Sequence, residues 1–153
     1  MYLKVASIVI FSVFFTGCAS VPLERKDISD KAKTFQAPTN GNAGLYIFRT
    51  HGLGASVKKN IWIDDVCIGQ TAPNIFFYQE VKGDKEHTIS TESEFSPNHL
   101  VLKTESGKIY FIEQYMKMGV FVGGSDLELV DANEGKKAVL DMNLAQKGFC
   151  KLE

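Results

Sequence analysis

From residue 43 onward the chain alternates between short apolar runs and polar or turn-forming residues. Each run is about 4–8 residues long, is rich in β-branched and aromatic side chains, and is bounded by Gly, Pro, Asn or Asp. This spacing is typical of consecutive short strands rather than of alternating strands and helices. The sequence therefore predicts a mostly β domain, a small antiparallel β-sandwich over residues 43–153, with strands at 45–48, 60–63, 74–80, 87–91, 99–103, 108–115 and 126–130.

The end of the chain departs from the strand pattern. Asp131 can cap a helix, and Glu134 follows three residues later, as in a capping box. Gly135 weakens that helix by about 1 kcal/mol relative to Ala. The apolar residues that follow are spaced by two, which suits a strand as well as a helix. We expect a short C-terminal helical segment over 132–144 that leads into a last strand.

The first eighteen residues have the pattern of an export signal. Lys4 is the only charged residue before an apolar run over 5–15, and that run is shorter than the roughly 20 residues that cross a bilayer as a helix. Its length suits the apolar part of a secretory signal. Phe-Thr-Gly-Cys at 15–18 then resembles the lipobox of bacterial lipoproteins, in which a cysteine after two small residues is acylated. The open alternatives are a signal cleaved elsewhere and a buried N-terminal strand.

The lipobox resemblance implies a signal peptide at 1–17 and a lipid anchor on Cys18. The cysteine would carry a diacylglyceryl thioether and an amide-linked acyl chain such as palmitate. Each buried methylene contributes roughly 0.8 kcal/mol, so three chains would make anchoring effectively permanent. Ala19 and Ser20 follow, where an aspartate would resemble an inner-membrane retention signal. The resemblance therefore implies the outer membrane of a Gram-negative cell, with the domain facing the periplasm.

Residues 18–42 are expected to form the lipidated N-terminus and a flexible linker. The segment contains Pro22, Pro38 and Gly41 and many polar positions, and its few large apolar residues form no sustained stripe. As a flexible coil it would reach very roughly 25–30 Å. The alternative is a short helix across 28–35 that docks on the domain.

Composition narrows the class of protein. The chain has 153 residues, of which 44% are hydrophobic and 23% charged, with 17 Lys and Arg against 18 Asp and Glu. These values fit one globular domain and exclude a disordered chain, a collagen-like repeat and a multi-spanning membrane protein. Because the charges nearly balance, we expect no nucleic-acid partner.

The cysteines allow one cross-link. Three cysteines are too few for a disulfide-dense miniprotein or a self-contained zinc module. With Cys18 used for lipid, Cys67 and Cys150 form a possible disulfide in the oxidising periplasm. The alternative is two separate thiols, with Cys67 packed in a strand and Cys150 loose at the tail.

The histidines and the paired aspartates suggest little chemistry. His51, His87 and His99 are widely spaced and show no metal-ligand pattern. Asp64 and Asp65 form a turn in which the carboxylates can bond their own backbone, although such a tip could also bind a cation. We expect no metal, no cofactor and no catalytic residue.

Aromatic and apolar clusters leave two interpretations open. Phe76, Phe77 and Tyr78 place rings on both faces of one strand, and a long apolar run at 116–122 is broken only by Lys117 and Gly119. Both clusters fit the core of a two-layer fold. The alternative is an exposed apolar patch that binds a partner or an envelope ligand.

Several segments resemble the turns of small bacterial surface sandwiches. In 61–73, a strand ending in two aspartates leads to a short return strand and then to Gly-Gln-Thr-Ala-Pro. The related pattern is Gly-x-Thr-x-Pro after an Asp-Gly turn, so that Asp65 stands where Gly is usual. With 83–90, 107–111 and 134–140, the chain is similar to small Gram-negative lipoproteins built on a domain of unknown function, and more distantly to the PEGA-type β-sandwich. The resemblance covers residues 43–145 and supplies no catalytic residue.

Two functions follow as expectations. The first is an outer-membrane-anchored lipoprotein of the periplasm that acts as a non-enzymatic binding or structural module for an envelope protein or ligand. The second is an envelope hydrolase or small-ligand carrier that uses a cleft near His87 and His99. It requires polar groups that converge in one pocket.

Overall fold

Two β-sheets packed face to face form the body of the protein, which the computed structural model describes over residues 19–120 and 123–150. The elements, in chain order, are α1 (Lys26–Ala32), β1 (Asn42–Arg49), β2 (Lys59–Ile63), β3 (Val66–Thr71), β4 (Ile75–Lys82), β5 (Glu86–Thr91), β6 (Asn98–Lys103), β7 (Ile109–Lys117), β8 (Gly124–Val130), α2 (Ala132–Leu140) and β9 (Asn143–Leu144). The predicted small β-sandwich with a short C-terminal helical segment is confirmed.

The two sheets differ in their pairing. One sheet has the order β8-β7-β1-β4-β9 and the other the order β3-β2-β5-β6. The smaller sheet is antiparallel throughout, as the sequence predicted. In the larger sheet, β1 pairs with β7 and β4 pairs with β9 in parallel. Parallel pairing of β1 and β7 requires a long crossover, which here contains the four strands of the smaller sheet together with β4.

The larger sheet is covered on both faces. Leu45 and Ile47 of β1 point into the core between the sheets, together with Phe77 of β4. Tyr46 and Phe48 point to the opposite face, where α2 and the N-terminal segment cover them in a second cluster. Every residue of β1 from 43 to 49 is therefore buried, as expected for a strand with no solvent-facing side.

The hairpin between β2 and β3 has the predicted aspartate turn. Ile63 pairs with Val66, so that Asp64 and Asp65 are its only two loop residues. Their φ angles are +48° and +62°, the left-handed values required at both central positions of a type I′ turn. Asp tolerates this region better than most residues because its short side chain bonds locally.

Helix α2 begins at the predicted cap and packs closely on the sheet. The Asp131 carboxylate accepts a hydrogen bond from the Asn133 amide at 2.8 Å. Gly135 faces Phe111 of β7, and a β-carbon at this position would lie 2.3 Å from the Phe111 side chain. The glycine that weakens the isolated helix is therefore what allows the helix to reach the sheet.

The N-terminal segment differs from the flexible linker that the sequence suggested for 18–42. Its described part forms the docked alternative, with α1 at Lys26–Ala32 rather than at 28–35. Leu23 forms a β-bridge with Ala145, and Phe35 packs into the second cluster. The segment has few apolar residues, but backbone hydrogen bonds and the packing of the Phe35 ring hold it on the domain. Neither helix within the described ranges is long and apolar enough to cross a membrane.

Candidate functional site

A groove lies between the N-terminal segment and the outer face of the larger sheet. Its volume is about 570 Å³. Residues 24–39 form one wall, and Tyr46, Tyr78 and Leu144 form the floor and the other wall. We name this cavity the tyrosine groove. Its rim carries the charged side chains Glu24, Lys31, Glu80 and Lys147.

Contacts from the sheet hold the N-terminal wall of the tyrosine groove in place. The Tyr46 hydroxyl donates to the Ala32 carbonyl at 2.7 Å, at the last residue of α1. The Leu144 amide donates to Ser29 Oγ at 3.1 Å. Phe35, at a φ of +51°, lies with its ring centroid 5.3 Å from that of Tyr46. Aromatic packing and a buried hydrogen bond thus offset the strained backbone of Phe35.

The two tyrosines of the groove are neutral hydrogen-bond donors. Their ring centroids are 4.7 Å apart. Burial, with a smaller effect from the charge of Glu80, raises the pKa of Tyr78 to about 12, and burial also raises the pKa of Tyr46. The Tyr78 hydroxyl donates to Glu80 Oε1 at 3.2 Å. A phenol that stays protonated at neutral pH can bind a polar ligand group, but it is a poor nucleophile.

A second cavity, of about 540 Å³, lies where the β2–β3 hairpin meets β4 and contains an Asp–His pair in which the histidine is buried and the aspartate is exposed. His87 is 4% exposed, and its Nδ1 lies 2.6 Å from Asp64 Oδ2. Its Nε2 lies 2.8 Å from the Lys82 carbonyl oxygen. Each ring nitrogen therefore faces an oxygen atom at hydrogen-bond distance. Both ring nitrogens are thereby occupied, so His87 cross-links the hairpin to β4.

The Asp64 carboxylate is stabilised in its charged form. Burial opposes ionisation, but the Thr88 amide at 2.9 Å and the His87 ring outweigh it, so that the pKa of Asp64 lies below its ordinary value. Asp65 is exposed at the tip. Within the described residues no group of three or more His, Cys, Asp or Glu side chains could hold a metal ion.

The histidines do not converge. His87 points into the sandwich, on the same face of β5 as Ile89, whereas His99 of β6 pairs with Ser90 and faces outward. His51 is exposed in the loop after β1. His99 Nδ1 lies 2.7 Å from Ser90 Oγ. This Ser–His contact lies on the open outer face of the smaller sheet, outside both cavities.

Two of the three cysteines lie in the described part of the chain. Cys67 of β3 and Cys150 are joined by a disulfide with a Cα–Cα distance of 6.1 Å. The bond fastens the end of the described chain to the edge of the smaller sheet. The predicted signal peptide at 1–17 and the predicted acylation site Cys18 lie outside the described residues.

Sequence reasoning identified only part of the tyrosine groove. Tyr78 belongs to the aromatic triplet singled out at 76–78, and Phe76 and Phe77 of that triplet are core residues. Tyr46, Glu80 and Ser90 were not identified. Tyr46 bonds Ala32, which is 14 residues away. Glu80 and Ser90 have nearer partners, Tyr78 and His99, but no recognised spacing marks these contacts. Strand alternation is the one available signal, because it places Tyr46 and Phe48 on the opposite face from Leu45 and Ile47.

Comparisons with known proteins give a family without an assigned activity. A family described as "Protein of unknown function (DUF2846)" matches residues 39–125. A protein of Haemophilus influenzae (strain ATCC 51907 / DSM 11121 / KW20 / Rd), described as "Uncharacterized protein", is 51% identical over 140 residues, covering 92% of this chain and 83% of that protein. No solved structure matches. The matched family segment spans β1 to β7 and reaches the start of β8.

Proposed function

The chain belongs to the DUF2846 family of proteins of unknown function, and we propose that it is a lipid-anchored, non-enzymatic binding module of the Gram-negative outer membrane. The lipobox-like residues 15–18 support the anchor. The disulfide between Cys67 and Cys150 supports an oxidising compartment such as the periplasm. The two-sheet arrangement and the aspartate hairpin support a distant likeness to the PEGA-type β-sandwich.

The tyrosine groove is the observation that carries the binding role. It combines an apolar floor, two phenol groups and charges of both signs on its rim. Lys147 Nζ donates to the Tyr78 carbonyl at 3.3 Å and to Gln79 Oε1 at 2.9 Å, so one cationic rim position is fixed. Such a lining suits a small amphipathic ligand whose apolar part meets Tyr78 and whose polar ends meet Glu80 and Lys147.

The placement of the titratable groups supports binding rather than catalysis. The raised pKa of Tyr78 keeps its hydroxyl protonated, and His87 uses both ring nitrogens within the fold. The hydrolase or carrier alternative, with a cleft near His87 and His99, gains no support from these positions because the two rings lie on opposite faces of one sheet.

The anchor is tested by fatty-acid labelling in the native host. Cells are grown with an alkyne fatty acid, and the protein is isolated from membrane and soluble fractions. We expect label on the wild-type protein in the outer-membrane fraction and none on Cys18→Ser. Cys67→Ser is the matched control and should keep the label. Wild-type protein without fatty acid in the soluble fraction would contradict the anchor.

The groove is tested by a photocrosslinking residue, p-benzoylphenylalanine, placed at Tyr78 in living cells. Leu129 on β8, which is 49% exposed, is the control position outside the groove. We expect an adduct of discrete mass at position 78 that is absent at 129 and is lost when Lys147→Glu reverses the rim charge. The same adducts at both positions, or none at 78, would argue against the groove as a ligand site.

A further inference from the structure

One end of the sandwich carries large apolar side chains in water. They lie on the loops that follow β1, β5 and β7, which we name the loop end (50–58, 92–97 and 118–120). The exposed side chains are Leu53 at 66%, Phe95 at 77%, Met118 at 88% and Val120 at 77%. Clustered exposed apolar residues of this kind mark an interaction surface rather than ordinary surface scatter.

The three loops lie side by side. β1 and β7 are parallel neighbours, so their following loops leave the same end of the larger sheet. The Val120 amide donates to Glu94 Oε2 at 2.7 Å and joins the third loop to the second. A β-carbon built on Gly54 would lie 3.0 Å from Met116 near the end of β7, which places the first loop against the third.

Buried polar side chains fix the loop end to the interior of the sandwich. The guanidinium of Arg49, which is 2% exposed, donates to the carbonyls of Val57 at 2.8 Å and Gly54 at 2.6 Å. Between the sheets, Gln114 links Thr71 at 2.7 Å to Thr91 at 3.3 Å. Leu53 is thus presented on a loop that is tied to the core.

The N-terminus of the described chain meets this same end. The Ala19 amide donates to the Ala55 carbonyl at 3.0 Å, and Ala19 and Val21 pack against the core between the sheets. Residue 18 precedes Ala19 directly, and consecutive α-carbons are about 3.8 Å apart. Ala19, the first described residue, is therefore held beside the first loop, and an anchor on the preceding residue would keep this end of the domain close to the bilayer.

We propose that the loop end inserts its apolar tips into the phospholipid bilayer that contains the acyl chains of Cys18. This inference rests on the proposed lipid anchor and adds the orientation of the domain. The loop end carries Lys58 against Glu92 and Glu94, and Lys117 beside it pairs with Asp126. Because these charges give no positive surplus that would attract lipid headgroups, the contact is apolar and should persist in high salt. The tyrosine groove then lies on the flank of a membrane-seated domain.

The test places an environment-sensitive fluorophore on the full-length, processed protein. The variant Met118→Cys is labelled with a nitrobenzoxadiazole dye, and the protein is reconstituted into vesicles of phosphatidylethanolamine and phosphatidylglycerol, with and without lipids that carry a nitroxide on the acyl chain. Val101→Cys, on the outer face of β6 and 57% exposed, is the control position. We expect a blue-shifted emission and strong nitroxide quenching at 118, and aqueous emission without quenching at 101. Leu53→Asn with Val120→Asn should return the dye at 118 towards aqueous emission, whereas Leu140→Asn on α2 should not.

Mass spectrometry of the same sample separates the two ways of failing. Acylated protein whose dye at 118 behaves like the dye at 101 overturns the membrane contact and leaves the anchor standing. Protein without acyl groups on Cys18 overturns the anchor and, with it, the orientation. Quenching at 118 that high salt abolishes would also overturn the proposal, because the contact would then be electrostatic.

Discussion

Removal of the disulfide should cost a large part of the stability of the domain. The bond joins Cys67 on edge strand β3 to Cys150, and 83 residues separate the two positions. The perturbation is the double variant Cys67→Ser/Cys150→Ser, compared with the oxidised wild-type protein. Because the closed loop contains β4 to β9, breaking the bond frees most of the unfolded chain.

The expected loss follows from the length of that loop. In the chain-entropy description, closing a loop of 83 residues lowers the entropy of the unfolded chain by about 15 cal/mol/K, which is about 4.5 kcal/mol at 25 °C. Domains of this size unfold with roughly 5–15 kcal/mol. With a slope of roughly 4 kcal/mol per molar guanidinium chloride, the unfolding midpoint should fall by about 1 M.

Guanidinium unfolding followed by tryptophan fluorescence measures this change. The chain contains a single tryptophan, Trp62, which pairs with Cys67 across the β2–β3 hairpin. The midpoint rather than the intensity is compared, because a neighbouring disulfide alters the intensity itself. Each single cysteine variant, kept monomeric with reductant, should match the double variant.

Equal unfolding midpoints for the oxidised wild-type protein and the Cys67→Ser/Cys150→Ser variant would refute this reasoning. A thiol titration of the unfolded wild type without reductant then distinguishes the two causes. With Cys18 acylated, two free thiols would show that the bond does not form, and no free thiols would show that the unfolded loop is already constrained.

Three local changes give further expected outcomes, all read as free energies of unfolding. Gly135→Ala should lower stability by roughly 1–3 kcal/mol, because the new methyl group overlaps Phe111 and overpacking outweighs the gain in helix propensity. The control Lys137→Ala, on the exposed side of α2, should change stability by less than about 0.5 kcal/mol. Equal effects of the two substitutions would contradict the packing argument. Asp65→Gly should raise stability by about 1 kcal/mol, because glycine adopts the positive φ without strain; a loss would show that the Asp65 side chain makes a stabilising contact. Asp64→Asn should lower stability at pH 7, and since the pKa of Asp64 is lower in the folded than in the unfolded state, the deficit should be constant above about pH 5 and shrink as the pH falls through the folded pKa. A deficit that stays constant down to acid unfolding would mean that the charge of Asp64 contributes nothing.

Local chemistry made the strands and the turns readable from the sequence. Short β-branched runs predicted β1, β2 and β4 to β8 within a few residues, and two aspartates between apolar runs predicted the hairpin at 64–65. Asp131 marked the start of α2. Each of these signals depends on backbone preference or on side-chain alternation within about ten residues, so no distant partner is needed to interpret it.

Features that depend on long-range contacts needed the tertiary structure. The docking of residues 19–42 depends on Tyr46, which lies outside that segment and whose hydroxyl donates to the carbonyl of the last residue of α1. It also depends on the ring cluster around Phe35. The parallel pairing of β1 with β7, the close approach of α2 at Gly135 and the tyrosine groove likewise join residues that are tens of positions apart. The sequence alone determined which segments are strands and where they turn, because backbone propensity is local. Which faces meet was decided only by packing, because burial depends on the whole fold.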